Sequence, residues 1–452
     1  MNPELRKWLP WIAVAAIAVL IIFIIAVNTG GDEEEAAGTT TTAAETTTTV
    51  EETTTTVEET TTTEAEETTT TEAPAAFEPI PIKVGTILPQ TGQLAAIIAA
   101  LENPIKMGAD EINAVSDGLV TVEYGDSGTD PNTASANVDK YLTGEHNAII
   151  GAAASGVSLS IVDKVQSSQV AMCSGSNTAA ALSSSDYDPY YSRTAPSDTL
   201  QGPALAGVII DDGIADVAVV WRSDEYGEGF GTLLADELEG AGATVSLRQG
   251  YDHAQASLAD IAAEVVASGA EAVAMITFEE GGQLLLDLES AGFAGAIYVA
   301  DGFKDTVGGD QLGGNVALLE GIKGTAPSAS PANGEATFGD RLEAAFPGTP
   351  TIFSAQKYDC LMVTVLAAQA AQSADPSVFV NEISNVTKGG EKCSLFADCF
   401  ALLSEGKDID YDGASGPLDF GSSNEPGIGT YDVFIYDAEG ATSTLDQIVA
   451  GG

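Results

Sequence analysis

Basic residues are scarce in this chain: 16 Lys and Arg stand against 67 Asp and Glu in 452 residues, a formal net charge of -51. Long-range repulsion from so acidic a chain excludes nucleic acid and anionic lipid surfaces as partners. The imbalance is not confined to one tract, because from Ile80 onward 52 acids still face 14 bases. Such acidity favours solubility and suits a salty habitat, but it names no ligand. Histidine is almost absent, with His146 and His253 far apart, and neither a G-x-S-x-G elbow nor an H-E-x-x-H helix occurs. A serine-triad hydrolase and a zincin are thereby excluded. Gly227-Glu228-Gly229-Phe230-Gly231 lacks the spacing of a dinucleotide loop. Asp126 to Asp130 begins like a calcium loop, yet Pro131 stands where the turn glycine belongs and Asn137 where the bidentate glutamate belongs. The chain is therefore read as a binding protein and not an enzyme, with no cofactor and no metal. Four cysteines are too few for a disulfide-stapled fold and are not spaced as a zinc site. Cys393 and Cys399, close in sequence, are expected to bond in an oxidising compartment, and Cys173 and Cys360, in apolar segments, are expected to stay buried free thiols.

One long apolar run is present. Trp8 to Val27 carries no charge, follows Arg6 and Lys7, and precedes Asp32 to Glu35. It is long enough to cross a bilayer, with its positive end inside. A cleaved signal peptide is the alternative, but Ala26-Val27-Asn28-Thr29 lacks a small-x-small cleavage site and no cysteine lies near residue 28 to accept a lipid. The expectation is an uncleaved anchor over 1–31, with the rest of the chain outside the cytoplasm. From Asp32 to Pro79, Thr quartets begin at Thr39, Thr46, Thr53, Thr60 and Thr68 between Glu-rich spacers. A coiled coil would need apolar residues at its buried seam, and none recur here, so 32–79 is read as a disordered linker. As a flexible coil it spans roughly 40 Å, and more once like charges extend it.

From Ile82 short β-branched runs alternate with longer Ala-rich amphipathic stretches, the pattern of βαβ units and parallel sheets. Strands are expected over Ile82 to Leu88, Leu119 to Tyr124, Ala148 to Ile150 and Val170 to Cys173, with helices over Leu94 to Val115, Pro131 to Leu142 and Val157 to Ser167. A second series follows, with strands at Val217 to Val220, Thr244 to Leu247, Val273 to Ile276 and Ile297 to Val299 and helices at Gly229 to Ala241, Leu258 to Ala267 and Gln283 to Ala291. The fold class is α/β with two doubly wound lobes. Ligands of open parallel sheets sit beyond the carboxyl ends of the strands, which directs attention to the residues after Leu88, Gly151, Cys173, Trp221, Thr277 and Ala300.

Val84-Gly85-Thr86-Ile87-Leu88-Pro89-Gln90-Thr91-Gly92, Gly108 to Asn113, Asp126-Ser127-Gly128-Thr129-Asp130-Pro131, Gly151 to Val157, Arg193-Thr194-Ala195-Pro196-Ser197-Asp198-Thr199-Leu200-Gln201-Gly202-Pro203 and Tyr226-Gly227-Glu228-Gly229 occur in that order. With them, Ile80 to Tyr436 resembles the leucine/isoleucine/valine-binding proteins, whose type I periplasmic binding fold feeds ATP-driven importers. The resemblance implies two lobes closing on a solute about three hinge strands, with crossings placed near Pro196, Ala326 and Ser415. Residues 80–196 with 327–415 then form the first lobe, and 197–326 with 416–452 the second. The implied function is an extracytoplasmic receptor of an ABC importer, a monomer that binds a branched-chain or other neutral amino acid and meets a membrane permease. A sensing ectodomain with a separate membrane partner, an amide or urea receptor, a receptor for a cationic amino acid, and a fold that no longer binds a solute are the other readings. Only seven residues precede Trp8, so a sensor would need its output domain on another chain.

An amino acid needs donors for its carboxylate, an acid or carbonyl for its ammonium and a walled pocket for its side chain. Ser155, after the third strand and at a helix start, offers a hydroxyl and free backbone N–H groups to a carboxylate. The resemblance adds Ser176 and Thr178 as donors to the carboxylate and as a carbonyl source for the ammonium. It adds Tyr226 as a lid over the ligand backbone, Phe278 as a pocket aromatic, and Asp301 as the acid that pairs with the ammonium. Ile97 stands where the leucine-binding relatives place a tryptophan, and Glu279 and Glu280 bring acids beside Phe278. Both departures point to a pocket of altered size and polarity.

Overall fold

A computed structural model of the chain describes residues 77–328 and 337–451. The anchor expected at Trp8 to Val27 lies outside them, as does the linker over 32–76. Among the described residues no helix is long and apolar enough to cross a membrane.

The first lobe is built on β1 (Ile82–Leu88), β2 (Val120–Asp126), β3 (Ala148–Gly151), β4 (Ala171–Ser174) and β5 (Tyr191–Arg193), a sheet in the order β2-β1-β3-β4-β5 with every neighbour parallel. Helices α1 (Ile98–Val115), α2 (Pro131–Thr143) and α3 (Ser155–Ser167) make the crossovers. Local chemistry sets their starts. Asp130, the first cap of α2, accepts from Thr133 N at 2.8 Å, and Pro131 occupies the first helical position, where an N–H would be unpaired anyway. Asp126 accepts from Thr91 Oγ1 at 2.6 Å and from Gly128 N at 2.7 Å, so both acids of the calcium-like stretch are engaged in turns.

Helix α4 (Asp198–Asp211) leads into the second lobe, where β6 (Asp216–Arg222), β7 (Thr244–Tyr251), β8 (Ala272–Ile276), β9 (Ala296–Val299) and β10 (Lys323–Pro327) are joined through α5 (Glu225–Gly240), α6 (Ala259–Ser268) and α7 (Gly281–Ala291). The chain then returns to the first lobe as α8 (Phe338–Ala345), α9 (Ser354–Ala370) and α10 (Pro376–Phe379). A small sheet follows, formed by β11 (Glu391–Cys393), β12 (Ile409–Gly413) and β13 (Gly416–Pro417), with α11 (Phe396–Ser404) between the first two. Finally β14 (Ile428–Tyr436) pairs antiparallel with β10, and β15 (Thr442–Gly451) with β14, giving the order β15-β14-β10-β9-β8-β6-β7.

The chain thus passes between the sheets after Arg193, after Pro327 and between Pro417 and Ile428. The third passage falls later than the expected Ser415, because Gly416 and Pro417 first pair with Asp412 and Gly413 in the small sheet. Helix α9 was not among the helices expected from the sequence, for a physical reason. It is buried on every side from Ser354 to Gln369, so it has no polar stripe to reveal a helical period. Asp359 within it is matched by four donors: Tyr411 Oη, Ala414 N, Ser415 N and Ser415 Oγ, at 2.5 to 2.8 Å.

The free-thiol expectation for Cys173 and Cys360 is overturned. They are bonded, with their Cα atoms 5.7 Å apart, as are Cys393 and Cys399 at 5.3 Å. The first pair is 187 residues apart in sequence, and only the packing of α9 against β4 joins them. Gly175 lets the two backbones approach: a Cβ there would lie 2.6 Å from the backbone of Gln356 and Lys357.

Candidate functional site

Both large sheets reverse their strand order, between β1 and β3 in the first lobe and at β6 in the second, and crevices open at such switch points. A cavity of about 20 Å³ lies between the lobes there. Ser155, Ser176, Thr178, Tyr226, Phe278 and Asp301 all line it, joined by Leu94, Ile97, Ala153, Ala154, Gly302 and Phe353. Its volume admits about one water molecule, so the two lobes are closed on it.

The first lobe supplies hydroxyls and a helix start. Ala154 caps α3 without a side-chain hydrogen bond, which leaves the positive end of the helix facing the cavity walls formed by Ala153, Ala154 and Ser155. Ser155 Oγ accepts from Ala179 N at 3.3 Å, so its own proton remains available to an acceptor. Ser176 Oγ instead donates to Ala153 O at 3.0 Å, and the Thr178 carbonyl accepts from Asp198 N at 2.7 Å.

The second lobe supplies acid and aromatics. Asp301 follows β9 and is buried; Gln201 Nε2 donates to its Oδ1 at 2.9 Å and Tyr226 Oη at 3.2 Å. Tyr226 Oη accepts from Gly302 N at 3.3 Å, and its ring stacks on Phe278 with centroids 5.3 Å apart. Beneath Phe278 lies the Arg222 guanidinium, 3.7 Å from the ring centroid, which Glu280 holds through two bonds of 3.0 Å. Glu280 is therefore bound to Arg222, and neither it nor Glu279 lines the cavity, so the altered polarity expected from these acids does not reach it. Arg222 also donates through Nη2 to Gln93 Oε1 at 2.9 Å, a bond that crosses from the second lobe to the loop before α1.

A residue not singled out from the sequence stands beside this group. Asp198, in the Arg193 to Pro203 stretch, is buried at the start of α4, and neither of its carboxylate oxygens has a hydrogen-bond partner. Burial first, and then the charge of Asp301, push its carboxyl well above the usual carboxylate range; Thr178 and Arg193 oppose this without completing a hydrogen bond. Burial raises Asp301 as well, while Gln201 and Tyr226 oppose the rise. Two buried acids that repel each other, with no cation between them among the described residues, are suited to receive one. Asp198 follows no strand end, which is the signal that drew attention to the others; its sequence cue was the motif alone.

The family model described as "Periplasmic binding protein" matches residues 81–441. Among curated proteins, the chemotactic signal transduction system substrate-binding protein BasB of Halobacterium salinarum is 26% identical over 77% of this chain and 86% of its own length. Among solved structures, the leucine binding protein LivK of Thermotoga maritima aligns with a TM-score of 0.69 at 19% identity, covering 81% of this chain and 98% of that one. LivJ of Streptococcus pneumoniae, in complex with isoleucine, aligns at 0.67 and 16%, covering 82% and 100%. These likenesses establish the type I periplasmic binding fold.

Proposed function

The chain belongs to the periplasmic binding protein family, and from that premise we propose that it is an extracytoplasmic receptor whose two lobes close on a small α-amino acid and deliver it to an ABC permease. The observation that carries the reading is the pairing of opposite chemistries across one cavity. On one side stand a helix start and the free Ser155 hydroxyl; on the other, Asp301 with Asp198 behind it. A carboxylate is stabilised by the first set and an ammonium by the second. In this reading Ser155 and Thr178 grip the carboxylate, Ser176 assists after releasing Ala153 O, and Tyr226 and Phe278 close over the ligand backbone. The name of the relative BasB supports a second reading, in which closure is passed to a separate signalling partner at the membrane.

A thermal-shift screen followed by calorimetry tests the proposal. Binding of α-amino acids is expected, and Asp301→Ala, which leaves the ammonium unpaired, is expected to weaken it by about 2 to 5 kcal/mol. Thr178→Ala, losing a hydrogen bond to a charged group, costs about 1.5 to 3 kcal/mol. Retained affinity for an analogue lacking the amino group, with Asp301→Ala unchanged, would point to an amide or carboxylate receptor instead. Crosslinking in the native membrane separates the two readings by whether a permease or a signalling receptor is captured.

A further inference from the structure

The three passages of chain between the lobes enclose a second and larger cavity, of about 340 Å³. Thr194 and Pro196 stand in its wall from the first passage, Ser328 from the second, and Leu418, Asp419 and Pro426 from the third. Gln356 of α9 and Ser415 close it from the first lobe, and Ile428 and Thr430 of β14 from the second. It shares no lining residue with the cleft between Ser155 and Asp301. Its volume falls in the range of small-molecule sites, roughly 300 to 1,000 Å³.

The wall offers acceptors and few donors. Thr194 Oγ1 donates to Gln356 O at 2.6 Å, Ser328 Oγ to Thr430 O at 3.3 Å and Ser415 Oγ to Asp359 Oδ2 at 2.5 Å, so three hydroxyl protons are already engaged. Gln356 is buried, and its Nε2 donates to Ser328 O at 2.9 Å while its Oε1 finds no partner among the described residues. A buried acceptor left in that state is costly, and a donor entering the cavity would satisfy it. Asp419 adds an exposed carboxylate, and no Lys, Arg or His lines the cavity. The rest of the wall is apolar: Pro196, Pro417, Leu418, Pro426 and Ile428. Ile428 is 46% exposed, a large apolar side chain that the described residues leave uncovered. Such a lining disfavours an anion and suits an ammonium group carried on a small apolar body.

Its place gives the cavity a consequence for closure. Gly429 of β14 abuts Pro196 of the first passage so closely that a Cβ there would lie 2.8 Å from the proline ring. When the lobes part, β14 must move against α9 and β13, and the cavity between them changes shape. A molecule that fits the closed shape therefore favours closure by its difference in affinity for the two arrangements.

We propose that this hinge cavity is a second ligand site, that it takes a small apolar ammonium compound, and that its occupation holds the lobes closed. Calorimetry of the full chain with phenethylamine and with phenylpropionate, which share a ring and differ in the sign of their charge, tests the first part. Phenethylamine is expected to bind at least about tenfold tighter than phenylpropionate, because an acceptor-lined wall pairs with the one and repels the other. Ile428 and Thr430 alternate with the buried Gly429 and Tyr431, so they share one face of β14. Thr430→Trp fills the cavity from that face and should weaken phenethylamine at least about tenfold by steric exclusion. Asp419→Asn, at a φ of 38° that asparagine tolerates, should cost about two- to fivefold, the size of an exposed ion pair. Asp301→Ala, which alters only the cleft, should leave the affinity unchanged.

Small-angle scattering tests the second part: phenethylamine should lower the radius of gyration of the wild type and of Asp301→Ala. Binding that Asp301→Ala abolishes and Thr430→Trp leaves intact would put the amine in the cleft and overturn the proposal. So would phenylpropionate binding as tightly as the amine, no binding of the amine, or a radius of gyration that the bound amine does not change. Asp419→Asn and Asp301→Ala decide the location even if Thr430→Trp does not fold. None of these measurements uses an amino acid, so the receptor reading above stands or falls separately.

Discussion

Asp198 and Lys357 each bury a charged group whose polar atoms find no partner, and each should make the ligand-free protein less stable than an uncharged replacement would. Their pH signatures are opposite. Lys357 is lowered on folding to about 7, so between there and its ordinary range near 10 the unfolded chain holds the extra proton, and stability rises with pH. Below pH 7 the amine is charged in both states and the penalty is complete. Lys357→Met should therefore raise the unfolding temperature most at pH 6 and least near pH 10, by an amount corresponding to up to about 5 kcal/mol at the acid end. Equal gains at pH 6 and pH 10 in calorimetric scans would mean that the amine is solvated. Asp198 is raised on folding, so the native state holds the extra proton and stability falls as pH rises above the ordinary carboxylate range. Asp198→Asn should raise stability at pH 8 and, by removing an ammonium partner, weaken ligand binding in the proposed site by about 2 to 5 kcal/mol. A variant that loses both would show Asp198 to be structural.

The bond from Arg222 at the end of β6 to Gln93 before α1 joins the two lobes beside the cavity and is one that opening must break. Arg222 is itself fixed by Asp224, Glu280 and the face of Phe278, so the interaction is presented without further ordering. Gln93→Ala should accelerate ligand release by about tenfold, the equivalent of one hydrogen bond to a charged group. Stopped-flow dissociation measures this, and an unchanged rate would exclude Gln93 as a latch. In the first lobe the Cys173–Cys360 bond ties β4, from which the loop of Ser176 and Thr178 departs, to α9, which carries Lys357. Peptide mapping of the unreduced protein should recover this link and Cys393–Cys399. Recovery of Cys173 and Cys360 as free thiols would restore the sequence expectation.

For the whole molecule, the proposed function couples ligand binding to closure of the lobes about the three passages of chain. Small-angle scattering with and without the bound amino acid should show a smaller radius of gyration in its presence. The apolar run Trp8 to Val27 is proposed as an anchor that keeps the receptor at the membrane, with the Thr-rich and Glu-rich tract giving it reach. Fractionation should find the intact chain with membranes, and a released form beginning near Asn28 would overturn this.

The sequence by itself determined the alternation of strands and helices, because period-2 and period-3.6 patterns are local properties of a half-buried surface. It also directed attention to the strand ends, where Ser155 was read from its place at a helix start and Tyr226 and Asp301 were added by the family resemblance; all three line the cavity. Contacts between distant segments were decided only in the tertiary structure. Cys173 meets Cys360 across 187 residues, and the buried Asp198 feels the charge of Asp301, about a hundred residues on in the chain. Glu280 is drawn onto Arg222 and away from the cavity. Helix α9 is buried on all sides, and within it Asp359 finds four donors while the Lys357 amine finds no acceptor. No local pattern records such matching, since a charge is satisfied or left unpaired by groups that the chain brings to it from elsewhere.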